Sequence, residues 1–354
     1  MGEASPGLRG LTAGACIRMM DGRQCATLQT IPTLSSRLAI QERNNIMPDT
    51  LLTRRRMCGL IAAAPLALRL TVGRGAERAA PRPLRYVLPS SLYGCTRLEL
   101  ILAEVRKTGT DAVDLWPKHH ADQREQVEAM GYDRFAELLR RYQVRLGMST
   151  RYDLGPFGLR QEFPFLARFG AKLVVTGSAG PPDLSGPKCK AAVRQFVEQM
   201  KPHVAEAEKH GVTIAIENHV GALLNTPDSL RYFAELSASP HLGIALAPYH
   251  LPQDERALSG LIEDLSPRLA HFYAWQHGKG CMQKQPKQDE IQQMPGRGKL
   301  DFRPLLSALQ KIDYRGGVEI FMHPFPRGIP ILESTAAVTE EINRARRYLE
   351  SSLT

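Results

Sequence analysis

The chain has 354 residues, 43% of them hydrophobic, which is enough for one large domain or two medium ones with an ample core. Its formal net charge is +10, yet residues 1–85 hold 13 Arg, no Lys and 5 acids, while the remainder holds 33 basic and 31 acidic side chains. The basic excess is therefore concentrated in a leader, and nothing in the nearly neutral body indicates a surface built to track a phosphate backbone.

In chain order, Thr53-Arg54-Arg55-Arg56-Met57-Cys58 precedes an apolar run at 59–68. A basic segment before such a run is the pattern of an export signal, and the paired arginines resemble a twin-arginine signal. The expected location is periplasmic, or cytoplasmic if the signal is not functional; a basic disordered tail is the competing reading. The run is too short for stable membrane insertion. Residues 1–46 are irregular, and Met47 is the expected true start. The expected organisation is a leader over 1–80, signal-like from 47 to 80, and one folded domain over 81–354. The body cysteines Cys95, Cys189 and Cys281 form no C-x-x-C and predict neither a disulfide framework nor a zinc ribbon.

From Leu84 onward, short apolar runs alternate with amphipathic stretches. Strands are predicted at Leu84–Leu88, Ala112–Leu115, Arg145–Ser149, Leu173–Thr176, Thr213–Ile216, Leu242–Leu246, Leu269–Ala274 and Gly317–Phe321. Helical patterns occupy Arg97–Lys107, Ala121–Tyr142, Phe163–Phe169, Pro187–His210, Pro227–Ala238, Glu255–Leu265, Phe302–Ile312 and Ser334–Leu349. Thr108-Gly109 and His210-Gly211 read as helix ends, and Thr226-Pro227 and Asp301-Phe302 as helix starts. Eight strands, each followed by a helix, predict a single-domain α/β fold, the (β/α)8 TIM barrel. A doubly wound open sheet is the alternative, though no G-x-G-x-x-G follows the first strand.

In such a barrel, functional groups gather at the C-terminal ends of the strands. Thr213-Ile-Ala-Ile-Glu-Asn-His219 and Gly317-Val-Glu-Ile-Phe-Met-His323 each run from a buried strand into a carboxylate and an imidazole. The other ends supply Trp116, Lys118 and His119, then Thr150 and Arg151, then His250, then Trp275, Gln276 and His277. Residues two apart share a strand face, so Glu217 and His219 can point inward together, while Asn218 points away. Two carboxylates, several imidazoles and an amide suit a divalent ion.

The segments 214–219, 242–250, 295–302 (Pro295-Gly-Arg-Gly-Lys-Leu-Asp-Phe302) and 314–320 resemble the sugar phosphate isomerase/epimerase family of xylose-isomerase-like TIM barrels. The resemblance spans roughly residues 84–350 and is strongest with exported, planctomycete-type members. It implies a sugar isomerase or epimerase that removes a proton beside a carbonyl through an enediolate, with Glu217 and Glu319 as acid/base pair and metal ligands. It also implies a divalent metal (Mn²⁺, Mg²⁺, Co²⁺ or Zn²⁺). Two further ligand positions depart from the family, because Ala247 and Tyr273 stand where an aspartate and a histidine are expected. His250 and Gln276 are the expected replacements, with His271 as a further choice. The predicted substrate contacts are Trp116, Lys118, His119, Arg151, His219, Trp275, His277, Arg297 and His323. The expected partner is a small sugar, with no nucleic acid, and a homo-oligomer is compatible with the sequence. Two rival readings share the site: β-elimination from a 3-keto-glycoside, and a non-catalytic carbohydrate binder whose metal site has decayed.

Overall fold

A computed structural model describes residues 81–353. The expected signal, the Met47 start and the leader cysteines Cys16, Cys25 and Cys58 lie outside the described residues. Among the described residues no helix is long and apolar enough to cross a membrane.

Eight parallel strands appear in sequence order: β1 (Arg85–Pro89), β2 (Ala112–Leu115), β3 (Arg145–Thr150), β4 (Leu173–Gly177), β5 (Thr213–Glu217), β6 (Leu242–Leu246), β7 (Leu269–Ala274) and β8 (Gly317–Ile320). Each pairs with its successor, and β8 pairs with β1, which closes the sheet and removes the open-sheet alternative. The fold is the TIM barrel that the strand–helix alternation predicts. Strands buried on both faces read as continuous apolar runs; all five residues of β6, for example, are buried.

The helices are α1 (Leu98–Val105), α2 (Gln123–Met130), α3 (Tyr132–Tyr142), α4 (Glu162–Arg168), α5 (Gly186–Lys209), α6 (Pro227–Leu236), α7 (Glu255–Asp264), α8 (Lys287–Glu290), α9 (Phe302–Lys311) and α10 (Thr335–Ser351). Their apolar stripes pack on the outer face of the strands in one continuous core. The predicted starts hold: Thr226 and Ser229 form a reciprocal capping box, and the Asp301 carboxylate accepts from the Arg303 amide.

Two elements differ from expectation. The pattern at 121–142 is two helices, because Gly131 takes φ +83°, which a side-chain-bearing residue resists. The short α8, inside the connection after β7, has too few residues to show a helical period.

Register places the site. Glu217 lies opposite Ala245, Tyr273 opposite Glu319, and Asp114 opposite Pro89. These residues are at the C-terminal ends of their strands, where alternation turns every second side chain into the barrel.

Candidate active site

The inward positions of β2, β5 and β8 carry Asp114, Glu217 and Glu319, whose exposures are 0%, 3% and 0%. Among the described residues no Lys or Arg forms an ion pair with any of them. Their neighbours are neutral donors and imidazoles. The Thr150 hydroxyl donates to Asp114 Oδ2 at 2.7 Å, and the Tyr152 hydroxyl donates to Glu217 Oε2. His250 Nε2 lies 3.7 Å from Glu217 Oε1, and His271 Nε2 lies 3.5 Å from Glu319 Oε2.

Burial without a counter-charge disfavours the ionised form of each group. It pushes the Glu217 carboxyl up to about 8, against the pull of the Tyr152 and Tyr273 hydroxyls. Asp114 is held well above the carboxylate range by burial and by the nearby Glu319, and Glu319 by burial and by Glu217. The imidazoles move the opposite way. Burial lowers His250 to about 2 and His271 to about 3, and pulls His323 well below its ordinary value. The chamber is therefore polar but nearly free of charge at neutral pH. Within it Glu217 is a carboxyl that the Tyr152 and Tyr273 hydroxyls pull back toward ionisation.

Above the carboxyls sits an aromatic roof. Trp116 stacks on Phe321 with centroids 5.2 Å apart, and Trp275 stacks on Tyr249 at 3.9 Å and meets Phe321 edge-on at 5.0 Å. His323 packs against both tryptophans and against His120 at 4.5 Å. The half-buried Tyr152 and His219 border Glu217 on the side nearest solvent, with His219 and His250 rings 4.2 Å apart.

Several predicted contacts lie elsewhere. Arg151 is 8% exposed and pairs with Asp153 at 2.8 Å and with the buried Glu162, which also receives Arg124 and the Ser149 hydroxyl. It braces the loop after β3, facing away from the chamber. Gln276 is also a brace: its Nε2 donates to the Met294 carbonyl and its Oε1 accepts from the Leu300 amide, so both ends serve the loop after β7 and not a metal. Arg297 pairs with Glu341 of α10 at 2.6 Å. Lys118, His119 and His277 are exposed at the rim. Asn218 does point away: it exchanges two hydrogen bonds with the Ala247 backbone, at 3.0 and 2.8 Å, and fixes the position where the resemblance expects an aspartate.

The site also holds Thr150, which the strand-end reading named, and residues that it missed: Asp114, Tyr152 and His120. Asp114 carried a usable signal, a carboxylate inside the buried run Ala112-Val-Asp-Leu115, two residues before Trp116.

The donor set decides whether a divalent ion fits. Ala247 offers a methyl group, and the Tyr273 phenol is held well above its ordinary value by burial and by Glu217. Gln276 is committed to the backbone. Among the described residues no three His, Cys, Asp or Glu side chains converge as a metal site. The residues present do not fit the ion that the resemblance implies.

Residues 102–348 match the family described as xylose isomerase-like TIM barrel, well over half of the chain. The chain belongs to the xylose isomerase-like TIM barrel family. No curated protein matches the sequence. Solved structures share the family's fold at low identity. A D-allulose 3-epimerase from Methylomonas sp. in complex with D-allulose is 16% identical with TM-score 0.57, covering 77% of this chain and 99% of its own. An L-ribulose 3-epimerase is 17% identical with TM-score 0.56, covering 77% and 95%. A zinc-bound IolI protein is 16% identical with TM-score 0.56, covering 76% and 98%. These likenesses establish the xylose isomerase-like fold.

Two outcomes follow. Glu217 holds its proton up to about 8 when folded, against an ordinary value of 4.5. Between these values the native state binds more protons than the unfolded state, so stability must fall as pH rises through that window. Urea denaturation from pH 5 to 9 is expected to show this decline, and Glu217→Gln to flatten it. Elemental analysis of the purified protein is expected to find divalent metal well below one per chain. A stoichiometric ion lost on Glu217→Gln would contradict the donor-set reading.

Proposed function

We propose that this chain is a sugar isomerase or epimerase that works by proton transfer beside a carbonyl. The observation carrying this reading is the ring of buried polar atoms under the aromatic roof. Among the described residues both nitrogens of His250 have no hydrogen-bond partner, and the Glu319 oxygens and Asp114 Oδ1 reach only groups within the same cluster. Unpaired buried groups are costly, and a small polyhydroxyl ligand satisfies many at once. Aromatic faces suit the apolar side of a sugar.

Glu217, in its ionised form, removes the proton on the carbon beside the carbonyl. The C–H bond breaks, the proton passes to a Glu217 oxygen, and the electron pair moves into an enediolate. His250 stays neutral and can donate a hydrogen bond to the developing oxyanion, as can Tyr273. Glu319, still protonated, returns a proton from its own side; delivery to the opposite face of the same carbon inverts it. Delivery to the neighbouring carbon isomerises the sugar instead. The sugar epimerases among the structural neighbours are consistent with this chemistry, and no step here runs through a metal.

Ala247 favours one rival, the non-catalytic binder, and the two readings separate experimentally. The chain's two tryptophans both sit in the roof, so intrinsic fluorescence reports occupancy. Incubation with ketohexoses and 3-keto-glycosides in D₂O is expected to give fluorescence change together with deuterium beside the carbonyl, without fragmentation. Glu217→Gln should retain the fluorescence response and slow exchange by about 10²–10⁴-fold, the contribution of a positioned general base. Fluorescence change without exchange would support the binder, and fragmentation the β-elimination reading.

A further inference from the structure

The opposite end of the barrel carries a feature that the acid/base chamber does not use. A cavity of about 490 Å³ opens at the N-terminal ends of the strands. Five cationic side chains line it: Arg85, Arg145, Lys172, Arg268 and Arg315, with no carboxylate among the lining residues. Conserving the fold does not require such a concentration, because this face of a TIM barrel ordinarily serves stability.

The charge is only partly compensated. Arg145 pairs with Asp111 at 3.1 Å and Arg315 with Asp313 at 2.8 Å, and neither aspartate lines the cavity. The Arg268 guanidinium donates to the backbone carbonyls of Ser237, Ala238 and Pro267, and Arg85 donates to the Arg315 carbonyl. These contacts orient the guanidinium groups and leave their charge in place. Among the described residues Arg85, Lys172 and Arg268 have no carboxylate partner. A concave, low-dielectric wall bearing one sign of charge focuses the field and raises the local concentration of counter-ions.

At the floor lies His271, 0% exposed, with Nε2 3.5 Å from Glu319 Oε2 and with Nδ1 lacking a hydrogen-bond partner among the described residues. Its Nδ1 edge faces the bare backbone of Gly317, where a Cβ would come within 3.1 Å. A larger residue at 317 would close the floor. The cavity thus has a cationic rim, a volume in the range of small-molecule sites and a buried polar group aimed into it.

We propose that this N-terminal mouth binds a compact multivalent oxyanion, either a phosphate compound or a small polycarboxylate. Guanidinium groups match both geometries through paired charge-assisted hydrogen bonds. The five charges gather at one barrel end, and the body after residue 85 is nearly balanced, with 33 basic against 31 acidic groups. The site is independent of the proposed sugar chemistry, so either reading can fail alone.

Isothermal titration calorimetry on the full chain at low ionic strength tests it, with inorganic pyrophosphate and citrate as probes. Saturable one-to-one binding of at least one probe is expected, and the stronger probe identifies the ligand class. Arg85→Glu with Lys172→Glu, both exposed and outside the acid/base chamber, should weaken it by about tenfold or more, the loss of one or two charge-assisted bonds. A control with Arg303→Glu and Lys311→Glu changes net charge equally on α9, outside the lining of the cavity, and should retain binding. Thermal melts verify that each variant is folded. No saturable binding by either probe, equal loss in the control, or binding of a DNA duplex that pyrophosphate cannot displace would overturn the proposal.

Discussion

Three carboxyl groups are buried inside this barrel with no Lys or Arg paired to them among the described residues, and the rest of the site depends on that constraint. Asp114, Glu217 and Glu319 lie on three different strands, so the closed sheet brings them together and no local motif could. Ionising all three in a dry interior would be prohibitive. Their protons are retained, neutral hydroxyls and imidazoles surround them, and the aromatic roof keeps the dielectric low. The same burial that raises the carboxyls holds the nearby histidines neutral. Glu217 and Glu319 are both buried; the half-buried Tyr152 and His219 border Glu217, while Glu319 is fully enclosed.

Much of the fold was legible because its signals are local. Buried parallel strands announce themselves as short apolar runs, and glycine or capping residues punctuate the helices between them. Glu217 and Glu319 were legible for the same reason, each ending an apolar strand. The partners of long side chains were not. Arg151, Gln276 and Arg297 all follow strand ends or border a loop typical of the family, yet each turns to a neighbour distant in sequence: Glu162, Met294 and Leu300, and Glu341. Which way a rim side chain turns is set by tertiary contacts, to which periodicity is blind. Asp114 lay hidden for a different reason, since one acid within a four-residue strand resembles an interruption as much as a functional group.

The two ends of the barrel present opposite electrostatic solutions. At the C-terminal end, acidic groups are buried and neutralised by their own protons. At the N-terminal end, basic groups remain charged around an open cavity. His271 stands between them, with one ring nitrogen near Glu319 and the other edge toward the cavity floor. Ala247 and Tyr273, at positions where the resemblance expects a carboxylate and an imidazole, offer a methyl group and a protonated phenol to the first solution.

The most direct test of this account is the protonation of Glu217 itself. Carbon-13 NMR of protein labelled at glutamate side-chain carboxyls, with the resonance assigned by Glu217→Gln, follows its titration. The account predicts a midpoint near 8, far above the ordinary 4.5. A midpoint in the ordinary carboxylate range would show that a cation or solvent reaches the chamber, and would contradict it.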